Sequence, residues 1–167
     1  MKRVTLESYK KDKYYPRIVR AVTAILETGD VVTPVDVFVR MDLLGKADVE
    51  AWRMGRVPYL EKVIRCNLEK ASRILRILKM HAEHSKMKPS QTDYRKWGKG
   101  PKVKLRFSKY GVPAIEEAYS RHFLCPPRKK RSQEAGAAQE EPSGEPQEVP
   151  TEIIDAVRLP PGELESP

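Results

Sequence analysis

The chemistry on offer in this sequence is carried by cations and aromatic rings more than by acids or nucleophiles. The densest set is residues 96–106, where Lys96, Lys99, Lys102, Lys104 and Arg106 occur with no acid among them. Cations on a fixed scaffold displace the counterions around a nucleic-acid backbone, so this set points to phosphate binding. Arg53, with Glu50, points outward from a short helical segment that would be the reader of a helix-turn-helix, and Arg56 follows it. Arg65, Arg73 and Arg76, with Lys62 and Lys79, fall on one side of a longer helical pattern that only Glu61, Glu69 and Glu83 interrupt. Such a row is commonly a solvated face, yet an excess of like charge also suits a polyanionic partner.

Three further sets have weaker grounds. His81 and His84 are three apart, as are His122 and Cys125, and two ligands from each of two elements is how a tetrahedral zinc site is built. These spacings also arise by chance, and the pairs must meet in space, so no metal or other cofactor is assigned. Tyr9, Tyr14 and Tyr15 alternate with Lys10, Lys11, Lys13 and Arg17 in a pattern that suits single-strand binding. The simpler expectation is that Tyr14 or Tyr15 packs the start of the first helix. Arg128, Lys129, Lys130 and Arg131 form a basic run of the nuclear-import or nucleic-acid type. Catalysis is not expected: Gly98, Lys99 and Gly100 lack the phosphate-loop spacing, and no nucleophile–base order stands out.

The elements that must position these groups are mainly helical. A first helix is predicted over 16–28, with Pro16 in its first turn, apolar Ile18, Val22, Ile25 and Leu26, and Gly29 as its stop. Thr33 caps a second helix that carries Val35, Val37, Phe38, Met41 and Leu44 until Gly45 breaks it. Ala47 to Met54 forms a third, anchored by Val49 and Trp52 and stopped by Gly55. The second and third helices have the size of a helix-turn-helix. A long helix is predicted over 58–86, a rod of roughly 40 Å, with Leu60, Ile64, Leu68, Ala71, Leu75, Leu78 and Ala82 on one side. Asn67 falls in that apolar face, where it would set register against a neighbouring helix. Residues 92–97 and 103–107 read as two strands around a turn at 98–101, a small β-hairpin whose second strand alternates Val103, Leu105 and Phe107 with cations. Pro113 starts a last helix reaching Phe123, with Ile115, Ala118, Tyr119 and His122 inward.

Charge divides the 167-residue chain. The whole carries 32 Lys+Arg and 23 Asp+Glu, a net +9, but only Arg158 stands against nine acids in 132–167. Residues 126–167 hold eight prolines and no aromatic residue, so a disordered Pro/Glu-rich acidic tail is expected after a basic domain at 1–125. Within it, 151–159 is more apolar, as a linker patch or a short docking motif. No apolar run approaches the ~20 residues that span a bilayer, so no membrane role is expected. The first eight residues are charged and unlike a secretory signal. Two cysteines make no disulfide framework, and a cytoplasmic location follows as the expectation.

The sequence therefore predicts a compact, mainly α domain with a helix-turn-helix-like segment, one long helix and a small β-hairpin, followed by the tail. Its expected role is non-enzymatic binding of nucleic acid, duplex DNA rather than RNA. The alternative is a protein-interaction or scaffold module that offers the long amphipathic helix to partner helices, as in a coiled coil. The oligomeric state is left open.

Overall fold

The computed structural model describes residues 4–127. The expected tail from residue 128 onward, with its 151–159 segment and the basic run at 128–131, lies outside the described residues. The described part is mainly α-helical with a small antiparallel sheet, and no helix in it is long and apolar enough to cross a membrane.

Helix α1 is Tyr15–Leu26, started by Pro16 and burying Ile18, Ala21, Val22 and Ile25. Helix α2, Pro34–Arg40, begins as its cap predicts. The Thr33 hydroxyl accepts from the Asp36 amide at 3.0 Å and donates to the Asp36 carboxylate at 2.7 Å. It ends earlier than expected, because Asp42 takes the left-handed conformation (φ 58°) and Leu43 N–H returns to the Phe38 carbonyl at 2.9 Å. Met41, Leu43 and Leu44 are still buried, but from the turn. Helix α3, Lys46–Arg53, ends with Gly55 at φ 74° and Arg56 N–H on the Ala51 carbonyl at 2.8 Å.

The long helix is shorter than its periodicity implied. Helix α4 is Leu68–His84, because the Asn67 side chain accepts from the Lys70 amide at 2.8 Å and caps it. Asn67 therefore does not sit in an apolar seam. Leu60 is buried from a 3-10 turn at Leu60–Lys62, which places Lys62 off the helix, and Arg65 is off it too. Leu68, expected inside, is 54 % exposed. The face that α4 buries is Ala71, Ile74, Leu75, Ile77, Leu78 and Ala82.

Two elements were not expected. Strand β2 is Lys88–Gln91, and the predicted last helix is split into α5, Pro113–Ser120, and strand β3, Arg121–Leu124. Strand β1 is Val31–Val32, and β3 lies between the other two, antiparallel to both, with Phe123 opposite Val32 and Pro89. The predicted hairpin keeps its turn but not its strands. Arg95 and Lys104 form a single antiparallel bridge, supported by Lys96 N–H on the Val103 carbonyl at 2.9 Å and Leu105 N–H on Tyr94 at 2.8 Å. Val103, expected to be half buried, is 57 % exposed, while Leu105 and Phe107 are buried.

An aromatic cluster forms part of the core. Trp52 lies 5.2 Å from Phe107 and 5.4 Å from Tyr94, and Phe107 stacks on Tyr119 at 5.3 Å with the rings 5° from parallel. Phe38 joins through Tyr119 at 5.9 Å. Each such pair adds about 0.5–1.5 kcal/mol beyond area burial.

A second tie is ionic. Asp12 is nearly sealed from solvent, and one of its carboxylate oxygens accepts from Arg73 Nε at 2.7 Å and lies 2.6 Å from a terminal guanidinium nitrogen. Its other oxygen accepts from the Tyr14 amide at 3.0 Å, at the start of α1. The pair joins α1 to α4.

Two substitutions test these ties. Trp52→Ala is expected to cost about 3–5 kcal/mol in chemical denaturation, since it empties a fully buried site. Arg73→Ala is expected to cost about 3–5 kcal/mol as well, because it strands the Asp12 carboxylate without its partner. Arg73→Ala made in an Asp12→Asn background should cost much less; an equal cost there would show that packing rather than charge holds α4.

Candidate nucleic-acid interface

The end of α3 and the 95–106 loop form one braced unit. The Trp52 indole N–H donates to the Arg106 carbonyl at 2.9 Å, and Leu60 N–H reaches the same carbonyl at 3.2 Å. Trp97 N–H donates to the Arg53 carbonyl at 2.7 Å, so the loop also satisfies a carbonyl at the end of α3. The Lys96 side chain lies over Gly55, where an added Cβ would stand 3.0 Å from its Cδ and Cε. The loop tip turns through Gly98 (φ 96°) and Gly100 (φ 106°), and Lys102 Nζ donates to the Gly98 carbonyl at 3.0 Å. After the loop, the Glu116 carboxylate accepts from Phe107 N–H at 3.1 Å and Ser108 N–H at 2.8 Å.

Arg53 does not point freely outward. Its guanidinium lies 4.4 Å from the Tyr94 ring centre and 4.8 Å from that of Trp97. Burial lowers its pKa from the ordinary arginine value, opposed by Tyr94 and Asp36, and it stays charged. Burial pushes the Tyr94 phenol up to about 12.

The expected site residues are thus divided. Arg53, Lys96, Lys99, Lys102, Lys104 and Arg106 belong to this unit, and Arg56 lies three residues beyond the end of α3, after the turn at Gly55. Lys104 is paired with Asp93 at 2.7 Å, which holds the Asp93 carboxyl below its ordinary value. Arg65 sits near the opposite end of α3, beside Gly45, and pairs with Asp48 at 3.4 Å. Arg73 is taken by Asp12. Arg76 lines a groove of about 700 Å³ between α4 and α5, together with Leu75, Ile115 and Ala118. The continuous row expected along the long helix is therefore not one surface. Trp97 is the residue that sequence reading passed over: placed in a strand, it is instead 47 % exposed beside Arg53. Its sequence signal was a lone tryptophan set among Arg95, Lys96 and Lys99.

The two candidate metal pairs do not form a cluster, and among the described residues no three potential ligands gather. The Tyr15 hydroxyl is 3.4 Å from His81 Nδ1, Lys10 Nζ is 3.0 Å from His84 Nε2, and Tyr94 Oη is 2.8 Å from His122 Nε2. Cys125 donates its backbone N–H to the Asp30 carbonyl at 2.8 Å. Tyr9 is buried against Tyr15, and Tyr14 and Tyr15 pack partly on the core, so this tyrosine set is largely turned inward.

Burial lowers the pKa of His122, with Asp36 opposing and Arg53 adding to it. Burial also lowers His81, helped by His84 and Lys10. Because both values fall on folding, the unfolded chain takes up protons first as pH drops. This contribution to stability is complete above the ordinary histidine value of about 6.5 and is lost as pH falls through the lowered folded values. The melting temperature should decline between about pH 7 and 5, and a His81→Gln/His122→Gln double variant should show a flatter decline. An unchanged decline in that variant would assign the effect to other groups.

Compared with known proteins, this chain matches no family model, no curated protein and no solved structure.

Proposed function

We propose that this protein binds nucleic acid without catalysing a reaction, through the 95–106 loop and the C-terminal end of α3. The observation that supports this is the set of cations left over on a braced loop. Among the described residues, Arg56, Lys96, Lys99 and Arg106 have no ion-pair partner, and all four are exposed. The two acids that flank the loop are already used: Asp93 by Lys104, and Glu116 by the backbone of Phe107 and Ser108. Like charges held together on short tethers repel, and a phosphate backbone relieves that repulsion while releasing counterions.

The pair α2 and α3, joined across 41–45, has the size of a helix-turn-helix, but that size is shared by helix pairs in many helical domains and does not by itself favour a duplex over a single strand. Arg53, stacked between two rings, contributes charge there rather than reading bases. The loop contacts would position the protein without selecting sequence. A scaffold role for α4 would need a free apolar face, and Ile74, Ile77, Leu78 and Ala82 of that face are buried within this chain.

The test is titration of labelled oligonucleotides at several salt concentrations. The triple variant Lys96→Gln/Lys99→Gln/Arg106→Gln should lower the slope of log Kd against log salt by about 2–3. It should weaken every sequence to a similar degree and leave the fold intact, since the three side chains are exposed. If the wild-type protein has no salt-sensitive affinity for duplex or single strands, the reading fails.

A further inference from the structure

We propose that the Trp97 indole is a stacking platform for an unpaired base, which makes a single strand the preferred ligand of this interface. The inference rests on the phosphate-binding reading above and adds to it the form of the nucleic acid. The chain has two tryptophans with opposite placements: Trp52 is fully buried and Trp97 is 47 % exposed.

Trp97 is also held in position. Its backbone N–H is fixed to the Arg53 carbonyl at 2.7 Å, and the neighbouring Lys96 N–H is fixed to Val103 at 2.9 Å. The Arg53 guanidinium lies 4.8 Å from its ring centre and 4.4 Å from that of Tyr94, so the three planar groups hold one another. A ring fixed before binding loses little entropy when a ligand covers it. The next residue, Gly98, carries no side chain beside the indole, and the nearest atom its Cβ would meet is Met54 Cε at 3.9 Å. Lys96 and Lys99 flank Trp97 in sequence, and both are exposed without an ion-pair partner among the described residues, so cations are at hand for the phosphates of a stacked nucleotide. An aromatic face combined with cations is the arrangement that grips single strands, whereas the bases of a duplex already cover one another.

Fluorescence can read this directly, because Trp52 is buried and Trp97 is the accessible emitter. The probes are a 20-residue oligothymidylate, an abasic strand of equal length, and a duplex. Oligothymidylate should quench the emission to saturation, and the abasic strand should not. Trp97→Leu should weaken oligothymidylate binding about 5- to 100-fold while leaving the abasic strand's affinity and the salt slope unchanged. Trp97→Phe, which keeps a ring, should recover most of the loss. Equal affinity for oligothymidylate and the abasic strand, or preference for the duplex with no quenching, would overturn the stacking role while leaving phosphate binding in place. Absence of salt-sensitive binding to all three probes would overturn both.

Discussion

A buried indole N–H must find an acceptor, and much of the arrangement around α3 follows from how Trp52 finds one. Trp52 is fully enclosed, and its nitrogen is satisfied by the carbonyl of a residue 54 positions later, Arg106. That single bond fixes the loop's second limb against α3 and brings Phe107 onto the indole. Phe107 in turn stacks on Tyr119, and Tyr119 touches Phe38, so α2, α3, the loop and α5 share one aromatic core. Arg106 itself faces solvent because it alternates with the buried Leu105 and Phe107 on an extended limb.

The remaining features of the interface have the same origin. The loop's first limb is held by Trp97 N–H on α3, and its tip is closed by Lys102 on Gly98. The local acids are drawn into structural work, Asp93 on Lys104 and Glu116 on two backbone amides. What is left facing solvent is cationic and aromatic. This is a consistent outcome of composition, since 94–115 contains no acid at all.

How much of this could be read beforehand depended on where the signal was local. The Thr33 cap, the Pro16 start, the Gly55 stop and the turn at 98–101 were all legible, because each is set by one or two residues. Trp52 as an anchor was legible from its spacing with Val49. The end of α2 was not, because Asp42 and not a glycine takes the left-handed position, so the break was placed at Gly45 instead. Lys86 hides the end of α4 in the same way, with Met87 N–H returning to Ala82 at 2.9 Å. The start of α4 was misplaced because Leu60 and Ile64 happen to fall in helical phase with Ala71 and Leu75. They are buried by a different route. Strands β2 and β3 are invisible in the sequence because β3 pairs with residues at least thirty positions away in β2 and about ninety away in β1, and Lys88–Gln91 has no alternation to show. For the site, the loop cations were legible as a set, while the diversion of Arg73 to Asp12 and the placement of Trp97 depended on tertiary contacts.

Strand β2 has one more consequence. It lies at the outer edge of the sheet, beside β3 alone, and an unprotected edge is a template on which another copy could add a strand. Lys88 places a charge at that margin, and Pro89 removes an amide donor from it. On the other side the sheet ends in a strand of only two residues. Neither margin offers a long ladder of free backbone groups, so the sheet can close the core while resisting edge-to-edge growth into fibrils.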